Sequence, residues 1–226
     1  MSSNGNIIVC HDNLQTIRPF KDPPLHSNLA KNQTTIMGYH HEGERVPFEM
    51  TQPTLSRIHK EEQLVAELEQ LGVRYLSRMT NEKASRLRTP RRLLVDLVQQ
   101  PSSRVRAAVI ALLLARPAYG KHVPAAVKGL APEQALTLKL FYTAAVLLQR
   151  EYAAPMQNHL GAGWLWLTDY FSAELNLPET APEVQLRELA KLHRQKTGVT
   201  LNWAGTYENA ARHLIRRWEL EQIWNR

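Results

Sequence analysis

The stretch from Pro101 to Leu130, PSSRVRAAVIALLLARPAYGKHVPAAVKGL, carries two helices whose faces are too apolar to stand alone in water. A chain that contains it must fold around it. Ser102 or Ser103 caps the first of these helices, with Val105, Val109, Leu112 and Leu113 on one face and Ile110 and Leu114 on much of the rest. A helix apolar on nearly every side belongs at the centre of a core. Pro117 ends it, and a shorter helix from about Tyr119 or His122 to Leu130 follows. Pro132 opens a second central helix, PEQALTLKLFYTAAVLLQREY, whose Leu136, Leu140, Ala144 and Leu147 stripe is widened by Phe141, Val146 and Leu148.

The remaining helices are read from caps and spacing. One runs from about Thr54 to Leu71, with Leu64, Leu68 and Leu71 apolar, Glu61, Glu62, Glu67 and Glu69 polar, and Gly72 closing it. The segment Val73 to Met79 fits a short strand or another helical turn equally well. Thr89-Pro90 then caps a helix over Arg91 to Gln100, striped by Leu93, Leu94, Leu97 and Val98 and stopped by Pro101. The aromatic run GAGWLWLTDYFSAEL predicts a short helical or irregular packing segment. Thr180-Ala-Pro-Glu183 predicts a helix from about Pro182 to Lys196, closed by Gly198. A last helix starts near Thr206, with Tyr207, Ala210, Ala211, Leu214 and Trp218 on one face.

Residues 1–53 differ from all of this. They hold Pro19, Pro23, Pro24, Pro47 and Pro53, few apolar residues and no sustained period, so they bury too little surface to offset their ordering entropy. The expected architecture is all-α: an irregular stack or bundle of antiparallel helices over residues 54–226, preceded by a flexible, extended or disordered arm over residues 1–53.

Within Pro101 to Leu130, the segment SSRVRAAVIALL resembles the inner helix of a HEAT-like repeat: a capped turn, valine-arginine, then small and apolar residues. HVPAAVKGL is similar to the first helix of a following repeat, with its proline in the opening turn. The resemblance covers residues 101–130 alone, and what it implies is a binding protein rather than a catalyst.

Chemistry is sparsely signposted. The single cysteine, Cys10, excludes an intramolecular disulfide framework, and the start MSSNGNIIVCHDN lacks the basic residue and apolar run of a secretory signal. The longest apolar run, Ala107 to Ala115, is nine residues, against roughly 20 for a bilayer span. A cytoplasmic protein without a membrane contact is expected. His40 and His41 with Glu42 and Glu44 are the densest possible metal ligands, but adjacent histidines point apart and a structural site needs about four convergent ligands. GAGW lacks the later glycine and lysine of a phosphate loop. His193 and His213 lie on expected helices without a legible nucleophile or carboxylate beside them. No metal, no cofactor and no catalytic residue is expected, and the chain reads as a non-enzyme.

Charge is more telling. Between Arg74 and Arg106 stand nine basic residues, Arg74, Arg78, Lys83, Arg86, Arg88, Arg91, Arg92, Arg104 and Arg106, against Glu82 and Asp96. That excess equals the whole formal net charge of +7. A localised field of this kind suits nucleic acid or an acidic protein surface. Phosphates are met by guanidinium forks without sequence preference, and the run shows neither interleaved aromatics nor a recognition-helix pattern. The expected function is docking of an anionic partner, nucleic acid before an acidic protein, through these nine residues. The alternative is a protein–protein adaptor or neutralising partner subunit whose N-terminal arm wraps another protein. Among the late aromatics Trp164, Trp166, Tyr170, Phe171, Trp203, Tyr207, Trp218 and Trp224, most are expected to pack the C-terminal helices. Trp224 is expected to be exposed and to anchor a partner chain.

Overall fold

The structure, a computed structural model, describes residues 52–74 and 87–224, with side chains from Lys60 onward. The described residues hold eight α-helices and no strand. They are α1 (Gln52–Gln70), α2 (Pro90–Val98), α3 (Ser103–Ala115), α4 (Val123–Val127), α5 (Pro132–Glu151), α6 (Ala153–Leu160), α7 (Pro182–Thr197) and α8 (Trp203–Trp224). A 3-10 turn over Pro117–His122 leads into α4, so the second half of the most constraining stretch is shorter and tighter than an ordinary helix. The expected arm lies outside the described residues, except that α1 begins with Gln52 and Pro53.

The two helices too apolar to be exposed sit at the centre. α3 packs against α1, α2, α5 and α8, and α5 against α2, α3, α4, α6, α7 and α8. Val109, Leu112, Leu113, Leu140, Ala144 and Leu147 are fully buried. Ser102 caps α3, its hydroxyl accepting from the Val105 N–H at 3.4 Å. Thr89 and Ala181 occupy the N-cap positions of α2 and α7 without any side-chain cap bond, each followed by a proline at the first helical position. For α7 the expected cap, Thr180, is therefore one residue early. α1 and α7 end at Gly72 (φ +95°) and Gly198 (φ +67°), a left-handed turn that costs glycine little.

Two features depart from the periodic reading. Glu67, expected on the polar face of α1, is fully buried: at three residues from Leu64 and four from Leu71 it shares their face. Helix α6 follows α5 across Tyr152 and buries only Met156, so it has no stripe to announce it. It is held instead by the His159 ring, which stacks on Trp218 of α8 at 4.1 Å.

The aromatic run forms a long irregular connection between α6 and α7. Gln149, buried on α5, acts as a substitute strand: its Nε2 donates to the Leu165 carbonyl at 2.8 Å and its Oε1 accepts from the Leu167 N–H at 2.7 Å. The Tyr142 hydroxyl donates to the Thr168 carbonyl at 2.6 Å. Leu167 and Phe171 enter the core, while Leu165, Trp166 and Tyr170 face outward.

Candidate nucleic-acid interface

Among the described residues, the members of the basic run do not share one surface. Arg88, just before α2, turns inward to Glu67. Its N–H donates to Oε1 at 2.6 Å and its guanidinium pairs with the other carboxylate oxygen. The same guanidinium reaches Asp96 at 3.0 Å, which also holds Arg92 at 2.9 Å. Arg106 donates to the carbonyls of Gln100 and Pro101 at 2.7 and 2.8 Å, tying off the turn between α2 and α3. Both arginines thus hold the fold together. Arg78, Lys83 and Arg86 lie outside the described residues.

What remains outward-facing falls into three places. At the N-terminal end of α2, Arg91 and Arg92 are exposed, and Arg92 has only Asp96 as a partner among the described residues. Arg91 lies over Gly129, which brings it beside the exposed Lys128 at the end of α4. No acid stands in the first turn of α2. Arg104 lies at the opposite end of α2, on the wall of a cleft of about 540 Å³ between the start of α3 and α8, whose other walls include Leu201, Thr206 and Asn209. Arg74, beyond α1, pairs with Glu221 of α8 at 3.1 Å.

Glu221 also accepts from Arg217 at 3.0 Å, so Arg74 and Arg217 meet at one carboxylate. Trp224 is 68% exposed, with the Arg217 guanidinium 5.8 Å from its ring centre. Lys128 and Glu221 escape a reading of the basic run because each is remote from it in sequence and ordinary in its own context.

The histidine on α7 is a core residue. His193 is 1% exposed, stacked on Trp203 at 3.6 Å with Phe141 at its edge, and its Nδ1 shares a 2.6 Å hydrogen bond with the Tyr207 hydroxyl. Burial, aided by Arg106, pulls its pKa down to about 4. The folded protein therefore holds this ring neutral at pH values where the unfolded chain, with a pKa near 6.5, protonates it. Stability from this group is complete above pH 6.5 and is lost as pH falls towards 4, by up to about 3 kcal/mol. Urea titrations at pH 7 and pH 4.5 are expected to show this loss in the parent and a shallower one in His193→Phe. Equal pH slopes in the two proteins would rule the histidine out.

Among the described residues, no group of three or more His, Cys, Asp or Glu side chains is placed to hold a metal ion. The pair His40 and His41, with Glu42 and Glu44, lies outside them. No described helix is long and apolar enough to cross a membrane. No family model, curated protein or solved structure matches the chain.

Proposed function

We propose that the protein is a non-enzymatic binding protein that docks the phosphate backbone of nucleic acid, with the N-terminal end of α2 as one contact. The observation that carries this reading is the pair Arg91 and Arg92 in the first turn of α2, exposed, beside Lys128, at a helix start with no acid and no side-chain cap. A helix N-terminus already carries partial positive charge, and two arginines there oppose the macrodipole at a cost of about 0.3–1 kcal/mol each. A bound phosphate reverses the sign of that term and takes up the first-turn N–H groups as well as the guanidinium forks.

The test replaces Arg91, Arg92 and Lys128 by Ala. These three side chains lie on the surface, unlike Arg88, so the melt is expected to stay close to the parent's. Affinity for mixed-sequence duplex and single strands should fall across unrelated sequences. On a log–log plot the salt slope should flatten by up to about 0.9 per lost contact on duplex DNA. A parent that binds neither probe at low salt, or a folded triple variant that binds like the parent, would eliminate this reading.

A second reading, a protein–protein adaptor, is favoured by a different surface. Leu165, Trp166 and Tyr170 are exposed on a connection held by Gln149 and Tyr142, and rigid aromatic side chains of this kind are the usual anchors of protein interfaces.

A further inference from the structure

Helix α8 carries Thr206, Asn209, His213, Arg217, Leu220 and Trp224 at three- and four-residue steps, which places them along one stripe. The stripe ends on an indole with unequal faces. Arg217 covers one side of Trp224 at 5.8 Å, and the residue as a whole is 68% exposed. Arg217 itself is held by Glu221, which also holds Arg74. A guanidinium has five N–H donors, so one contact to Glu221 leaves most of each fork available. Arg74 and Arg217, which meet at Glu221 beside the ring, outnumber that carboxylate, so the surface complements an anion that also presents a flat ring.

Nucleic acid supplies both, but only when unpaired. In a duplex every base is already stacked between its neighbours, whereas a single strand offers a π-face for an aromatic side chain to take up. We infer that the end of α8 is a stacking platform for a base of single-stranded nucleic acid, with Trp224 against the base and Arg74 and Arg217 on the flanking phosphates. The inference rests on the phosphate-docking reading above and adds a preference to it.

The experiment measures anisotropy of a labelled oligothymidylate and of a mixed-sequence duplex of equal length, at low salt, for the full chain and for Trp224→Ala and Trp224→Phe. Trp224→Ala should lower single-strand affinity about 5- to 150-fold and leave duplex affinity within about twofold, with an unchanged melt. Trp224→Phe should retain most of the single-strand binding, because a ring persists. Single-strand affinity unchanged in Trp224→Ala while the parent binds would overturn the stacking platform alone. So would a parallel loss on both probes, since a stacking contact is blind to duplex. A parent that binds neither probe overturns the phosphate-docking reading, and the platform with it.

Discussion

Replacing Leu112 by Asp is expected to leave the chain without a cooperative fold. Leu112 is fully buried in the last turn of α3, a helix enclosed by α1, α2, α5 and α8. Truncation to Ala alone costs about 2–5 kcal/mol through lost transfer energy and the cavity left behind. Asp adds the desolvation of a carboxylate to which the packed apolar surroundings offer no partner. Domains are stable by about 5–15 kcal/mol in total, so the sum consumes most or all of the margin. Circular dichroism should show a broad, non-cooperative melt for Leu112→Asp and a lowered but cooperative one for Leu112→Ala. A Leu112→Asp variant melting within a few degrees of the parent would mean that α3 is not the centre of the core.

Arg88→Ala is the second large effect, expected to destabilise the protein by about 3–5 kcal/mol. Glu67 is fully buried and Arg88 is its ion-pair partner, so removal of the guanidinium leaves a buried carboxylate without its paired cation, although the backbone N–H of residue 88 still donates to it. The double variant Glu67→Leu with Arg88→Ala should recover part of the loss, because Leu fills the place of the buried Glu67 side chain and carries no charge to desolvate. Urea unfolding of the two single variants and the double variant gives the coupling directly. An Arg88→Ala variant within about half a kcal/mol of the parent would show that the pair is not buried in solution. The result also guards the binding test: lost affinity in an Arg88 variant would report a damaged fold rather than a missing phosphate contact.

Much of the helical core was legible beforehand. The all-round apolarity of α3, the stripe of α5, the proline starts of α2, α5 and α7 and the glycine ends of α1 and α7 are local signals, and each fell where local physics puts it. The start of α8 shows how such a signal is overlooked. Asn202 accepts the Gly205 N–H on its side-chain oxygen at 3.2 Å and the Thr206 N–H on its carbonyl at 3.0 Å, so the helix begins at Trp203 rather than Thr206. Asparagine is among the best N-caps, and it stood there to be read. Helix α6 had no such signal, since one buried methionine makes no period.

The candidate site was far less legible, and Arg88 and Arg91 show why. In sequence both are arginines of one basic run. In the fold, Arg88 is consumed by Glu67, 21 residues away, while Arg91 is left outward beside Lys128. Trp224 likewise gains its cationic setting from Arg217 on its own helix and from Arg74, drawn in by Glu221. Helix formation and burial depend on spacing along a few turns, which the order of residues carries directly. Which charge is neutralised and which faces solvent depends on Coulomb and desolvation energies, and these are set by distances across space between residues far apart in the chain.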